Sequence, residues 1–200
     1  MSCESCASTT PSCEHCSHGS VEFTKRGDAC IALLGQPNSG KSTLFNGLTG
    51  SRQHVGNWPG KTVERKEGEF LRNGRTYQVI DLPGAYGLAA NSPEEQITSD
   101  FVTSGAADVT LVMADASQLE RSLYMLADFA CIAHDAPCVL VLNLMDVAEQ
   151  QGKRIDAKKI EQRLGVPVVP FVAAETSNYD ALLEAIDRAL REKPLLNTDL

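Results

Sequence analysis

Gly35-Gln36-Pro37-Asn38-Ser39-Gly40-Lys41-Ser42 is the stretch on which the fold turns. It fits GxxxxGK[ST], a pattern that average residue usage produces in a chain of this length on the order of 1% of the time. The setting sharpens it. The apolar run Cys30–Leu34 precedes it at strand length, and Lys41–Leu48 follows with helical spacing. That is the strand–loop–helix context a phosphate-binding loop requires. Glycine at 35 and 40 lets backbone N–H groups turn inward, and the helix N-terminus adds its positive dipole end. In such a loop Gly35 to Thr43 surround phosphate oxygens, Lys41 reaches the β- and γ-phosphates, and Ser42 ligates Mg²⁺.

Outward from this loop, short apolar runs alternate with longer amphipathic stretches. Cys30–Leu34, Val109–Ala114, Cys138–Leu142 and Val166–Val172 read as strands apolar on both faces, as a parallel sheet demands. Lys41–Leu48, Glu94–Thr103, Leu119–Ala133, Asp156–Leu164 and Tyr179–Arg191 read as helices. Val63–Leu71 and Arg75–Asp81 flank Asn73-Gly74, a strong hairpin signal. The sum is an α/β domain: a mostly parallel six-stranded sheet, one antiparallel edge strand, and helices on both faces.

Composition bounds the rest. Hydrophobic residues at 42% and charged residues at 22% exclude wholesale disorder. The 26 acidic against 18 basic side chains give a net charge of -8, which opposes a nucleic-acid footprint built on clustered Lys and Arg. No apolar run approaches the roughly 18 residues that span a bilayer. The N-terminus lacks the basic start and apolar stretch of a signal peptide, so a cytoplasmic chain is expected. Residues 1–26 read as a Cys/Ser-rich tail, 27–192 as the folded domain, and 193–200 as an extension.

In the tail, Cys3, Cys6, Cys13 and Cys16 form C-x₂-C-x₆-C-x₂-C, with His15 and His18 beside the second pair. Two such pairs can close a four-sulfur site for zinc, iron or an iron–sulfur centre. A Ser-rich tail with incidental soft-metal affinity is the plainer alternative. The remaining cysteines, Cys30, Cys131 and Cys138, sit in apolar patterns and are expected to be inert core thiols.

Two further motifs follow strands. Asp81-Leu82-Pro83-Gly84 puts a carboxylate at a strand's carboxyl end, where it can hold Mg²⁺, while the Gly84 N–H can sense a γ-phosphate. In Asn143-Leu144-Met145-Asp146 a terminal carboxylate can accept both guanine N1–H and N2–H₂, a pairing adenine does not offer. NxxD alone is weak; its position at a strand's carboxyl end is what gives it weight.

The three motifs in this order resemble the Ras-like GTPases. The stretch GQPNSGKSTLFNGLTGSRQHVGNWPGKTVERKEGEF, then DLPGAYGL and NSPEEQ, is similar to the GTPase domain of the ferrous-iron transport protein B (FeoB) family. The resemblance implies a GTP-hydrolysing switch of ferrous-iron uptake that cycles between GTP and GDP. It also implies a membrane iron permease, absent from this chain, as partner at the inner face of a bacterial cell membrane. It makes Thr62, within Gly60-Lys61-Thr62, the first-switch ligand of Mg²⁺ beside Ser42 and Asp81. It gives Asn38 a K⁺ ion, completed by carbonyls near Gly56 and Trp58. Asn143 and Asp146 become base-recognition residues, joined by Val172-Ala173-Ala174, where the Ala174 N–H meets guanine O6.

Lys61 and Ala173 depart from the family's usual apolar residue and serine. Ala85 stands where Ras-type enzymes carry a water-positioning glutamine, so a slow GTPase stimulated by K⁺ is expected, with Lys41, Asn38, Thr62 and Gly84 as its catalytic groups. Two alternatives stay open at this point: a metal-sensing adaptor that binds GTP with little turnover, and a ribosome-assembly type of GTPase, which would want a basic appendage.

Overall fold

The computed structural model describes residues 27–172 and 178–197. The strands are β1 (Ala29–Gly35), β2 (Gln53–Asn57), β3 (Glu64–Arg72), β4 (Arg75–Asp81), β5 (Val109–Asp115), β6 (Cys138–Asn143) and β7 (Val168–Pro170). The helices are α1 (Lys41–Thr49), α2 (Pro93–Thr103), α3 (Leu119–Ile132), α4 (Met145–Gln150), α5 (Ala157–Leu164) and α6 (Asn178–Glu192). The strands form one sheet in the order β2-β3-β4-β1-β5-β6-β7, with β1 at its centre and every β1 residue buried.

Side chains alternate along the central strands, and each set meets its own helices. Ile31, Leu33, Leu111, Met113 and Val141 pack with Leu44 and Phe45 of α1 and with Leu182 and Ile186 of α6. Ala32, Leu34, Val112, Leu140 and Leu142 pack with Phe101 of α2, Phe129 of α3 and Leu164 of α5. The result is three layers, helices on both faces of the sheet, as the double-sided apolar runs require.

The sequence pattern predicts six strands; the structure has seven. The additional strand, β2, reads QHVGN, and all five of its residues are exposed, so no apolar alternation marks it. The antiparallel strand is also one place in from where the pattern puts it. β3 runs antiparallel to both β2 and β4, and β2, outermost, runs with the rest. Val166–Val172 contracts to the three residues of β7, and the polar run MDVAEQ forms the short α4 that the pattern leaves as loop.

The hairpin is as read. Asn73 (φ 51°) and Gly74 (φ 76°) both take the left-handed conformation that a two-residue type I′ turn demands. This turn fixes the register from Arg72↔Arg75 back to Lys66↔Asp81. One cysteine expectation is corrected. Cys30 and Cys138 are buried, whereas Cys131 is exposed, because it falls on the outer face of α3 rather than with Met125, Leu126 and Phe129 on the inner one.

Candidate nucleotide site

β1, β4 and β6 end at Gly35, Asp81 and Asn143, and the loops leaving them carry the predicted residues. The close approach of these loops explains the glycines. Gly40 has φ 92°, and a Cβ there would stand 2.0 Å from the Asn143 amide nitrogen. At Gly35 a Cβ would lie 2.9 Å from both Met113 Cβ and Ser39 Oγ. Gly84 rests against Pro37, so a Cβ at 84 would meet that ring and backbone at 3.3 Å. The Ala85 N–H donates to the Gly35 carbonyl at 3.4 Å, and Leu82 N–H donates to Leu33 at 3.1 Å. The DLPG turn is thus laced directly onto the phosphate loop.

Two buried oxygens in this region, Ser39 Oγ and Asp81 Oδ1, have no hydrogen-bond partner among the described residues. Unpaired buried polar atoms are costly and uncommon in folded proteins. Lys41 is 8% exposed. Burial holds its pKa below the ordinary lysine value; Asp81 pulls it back up and Lys66 lowers it further. Burial likewise raises the Asp81 carboxyl, with Lys41 and then Lys66 opposing and Glu64 adding to the rise. An orphaned carboxylate oxygen, an orphaned hydroxyl and a desolvated ammonium at the mouth of a helix fit a polyphosphate and its divalent cation. Ser42 and Thr43 stand exposed on the first turn of α1, within the same mouth.

Asn143, 1% exposed, donates from its side-chain amide to the Ser39 carbonyl at 2.9 Å. It therefore joins the NxxD loop to the phosphate loop. Leu144 takes φ 60°, and Met145 and Asp146 open α4. Asp146 is exposed and, with Met145, Lys153 and Val172, lines an open cleft of about 680 Å³. Ala173 and Ala174 lie outside the described residues, as do the tail cysteines Cys3, Cys6, Cys13 and Cys16. Volume is a poor guide here. A concavity of about 790 Å³ lined by Asp28, Arg75, Asp108 and Arg191 opens at the amino ends of the strands, the opposite end from that used by ligands of open α/β sheets.

The residues expected to form the first switch lie on an exposed segment. Gly60, Lys61 and Thr62 form an exposed tip. Among the described residues no hydrogen bond or ion pair joins that tip to Gly35–Ser42. Asn38 is exposed with φ 65°, Gly56 lies on the exposed β2, and the Trp58 carbonyl accepts from the Lys61 N–H at 2.9 Å.

Sequence reasoning missed two residues. Thr98 of α2, fully buried, donates its hydroxyl to the Pro83 carbonyl at 3.3 Å and so steadies the DLPG turn. Lys66 faces Asp81 across the ladder. For Lys66 the signal was present: a two-residue hairpin at 73–74 fixes which residue opposes Asp81. For Thr98 there was none.

Residues 29–186 match the family model described as ferrous iron transport protein B. The chain belongs to this family. Fe(2+) transporters FeoB of Salmonella typhimurium and Escherichia coli are 48% and 47% identical to it over 162 residues. Those matches cover 79% of the chain and only 21% of each relative, so the chain spans about a fifth of a transporter's length. Among solved structures, the cytosolic domain of T. maritima FeoB in its GMPPNP form superposes with a TM-score of 0.79 at 38% identity, covering 84% of this chain and 66% of that one. The FeoB G domain from Methanococcus jannaschii gives 0.70 at 42% identity, covering 82% and 97%. The described domain is thus a FeoB G domain with the P-loop GTPase fold. Within that family frame Ala85 is informative, because it is 2% exposed and part of the core beneath the sheet. Its side chain faces inward.

Proposed function

We propose that this chain is the GTP-binding and GTP-hydrolysing switch of a ferrous-iron uptake system, acting with a membrane permease region and stimulated by K⁺. What supports the reading above all is the buried, unpartnered Asp81 Oδ1 beside the buried Lys41 at the mouth of α1. Those groups suit a nucleotide and its metal, and the family supplies the base and the context. Ser42 and Asp81 would hold Mg²⁺ and Asn38 would hold K⁺; Thr62, and the Gly56 and Trp58 carbonyls, would complete these two sites only when the first switch closes on the phosphate loop. Bound there, the cations neutralise charge building on the phosphate oxygens in the transition state.

The protein's own groups do the remainder. The backbone N–H groups of Asn38, Gly40, Lys41 and Ser42 would bind and orient the phosphates, and Lys41 would place a charge on them from a site where water screens it little. Asp146 and the 172–174 loop select guanine. With Ala85 turned into the core, no side chain at that position orients the attacking water, so backbone groups of the switches must, and turnover is slow. An arginine finger is worth about 10³–10⁵ in rate, part of which a K⁺ held by Asn38 would supply.

The test is GTP hydrolysis by the purified chain in matched K⁺ and Na⁺ buffers, repeated with Asn38→Ala. Stimulation by K⁺ that Asn38→Ala abolishes supports the reading. Tight GTP binding with equal, negligible rates in both buffers favours a non-hydrolysing adaptor instead. The tail cysteines are a separate proposal: Cys3, Cys6, Cys13 and Cys16 bind one soft metal ion. Metal analysis of the whole chain, against a variant with all four changed to Ser, decides it; equal metal content in both would end it.

A further inference from the structure

From Gly50 to Thr62 the chain runs thirteen residues along the surface, and twelve of them are exposed. The exception is Trp58, at 3% exposure. Its ring meets Phe101 of α2 edge-on, with centroids 5.8 Å apart and planes at 74°. The Arg65 guanidinium, on β3, lies 4.9 Å from the ring centroid. The backbone of the same residue closes a small loop. Trp58 N–H donates to the Val63 carbonyl at 3.0 Å, and its carbonyl accepts from Lys61 at 2.9 Å. Gly60, Lys61 and Thr62 are the tip of that loop.

α2 is also where the other switch is held. Thr98 lies three residues before Phe101, on the same face of the helix, and its hydroxyl holds the Pro83 carbonyl of the DLPG turn. One helical face therefore grips the phosphate-sensing turn at one point and the sole buried residue of the first switch at another. The N-terminus of that helix is firmly set: Ser92 accepts the Glu95 N–H at 3.1 Å, and Glu95 accepts the Asn91 N–H at 3.0 Å.

We infer that Trp58 is the positioning residue of the first switch. Its side chain, lodged against Phe101, fixes the base of the loop that carries Thr62, and the Thr98–Phe101 face of α2 couples that loop to the DLPG turn. The ring's part is separate from that of the Trp58 carbonyl: it limits where Thr62 can go, so its loss is felt when GTP is bound and barely when GDP is. The role rests on the GTPase reading above, since it is defined by what Thr62 does for GTP.

The chain has a single tryptophan, so its emission reports this site without a label. Three arms test the inference on the whole chain. In the first, Trp58 emission stays blue and shielded from acrylamide in the nucleotide-free, GDP and non-hydrolysable GTP-analogue states, and Phe101→Ala moves it to the red. In the second, Trp58→Ala and Phe101→Ala each lower kcat by about tenfold to a hundredfold, the scale of a misplaced reacting group. Their GDP affinity stays within about threefold of wild type, while affinity for the GTP analogue falls by more than that, because Thr62 serves the nucleotide only when GTP is bound. In the third, Trp58→Phe, which keeps an aromatic ring against Phe101, recovers most of the rate.

A role confined to stability would instead lower the melting temperature of Trp58→Ala while leaving kcat per folded molecule unchanged, and that result overturns the inference. So does emission that shifts to the solvent-exposed value when the GTP analogue binds, because the ring would then have left its seat. If the wild-type chain hydrolyses no GTP, the GTPase reading fails on its own. The emission arm, with the ratio of GTP-analogue to GDP affinity in wild type and Trp58→Ala, still decides the place of Trp58.

Discussion

Gly40 and Asn143 meet where two loops cross, and their contact can be tested one atom at a time. Gly40→Ala adds a Cβ that would stand 2.0 Å from the Asn143 amide nitrogen, at a φ of 92° that side chains rarely accept. The strained backbone alone costs about 1–3 kcal/mol, and relief of the clash pulls Asn143 off the Ser39 carbonyl. Nucleotide titration of this variant is expected to show binding lost, with a lowered melting temperature. Asn143→Ala leaves the Ser39 carbonyl without the amide that now donates to it. An unmet buried acceptor costs about 1–3 kcal/mol, read as a fall in the denaturant midpoint with unchanged slope. A second residue-scale prediction separates the cysteines. Burial pushes the Cys138 thiol up to about 12, whereas Cys131 is exposed on α3. Peptide mapping after brief alkylation of the native chain at mildly alkaline pH is expected to find Cys131 modified and Cys138 intact. The same shift has a stability consequence. A thiol whose pKa is higher folded than unfolded favours the native state fully below about 9, and that contribution falls away as pH rises from there towards 12.

At the scale of elements, legibility followed burial. β1, β5 and β6 are buried along nearly their whole length, so their apolar runs stand out in the sequence. The hairpin was legible for a different reason: Asn-Gly dictates a turn by its own backbone preferences, whatever surrounds it. β2 was not legible, because an exposed outer strand owes its existence to the ladder offered by β3, and nothing in QHVGN records that. Cys131 sits in an apolar run, but the helical period of α3 turns it to the face opposite Met125, Leu126 and Phe129. α2 opens one residue before the Glu94 that the pattern gives, at Ser92-Pro93-Glu94-Glu95, where proline occupies the first turn and the serine hydroxyl caps it. Ser92→Ala is expected to cost about 0.5–2 kcal/mol. Since α2 steadies Pro83 through Thr98, the variant's hydrogen exchange should rise in the DLPG turn as well as in the helix. Exchange confined to the helix would show that the turn is held without α2.

For the whole molecule, the legible part of the site was the part made by short sequence motifs on loops that the sheet brings together. The illegible part was made by partners distant in sequence, such as Thr98 beneath Pro83 and Asn143 beneath Ser39, whose roles depend on how layers stack. The same division separates the domain from its tail. Among the described residues both hydrophobic clusters run from 29 to 196, the family match begins at residue 29, and the phosphate, DLPG and NxxD loops all lie between. None of those three loops falls in the first 26 residues of the sequence, and β1 begins at Ala29, the end opposite the loops that leave Gly35, Asp81 and Asn143. A chain lacking residues 1–26 is therefore expected to melt within about 0.5 kcal/mol of the full chain and to bind GDP with unchanged affinity. Its bound soft metal, by contrast, should drop to background. Loss of nucleotide affinity on truncation would place the tail at the nucleotide site after all. Retention of the metal would move the soft-metal site off the four tail cysteines and onto the domain, where Cys131 is the accessible thiol among the described residues.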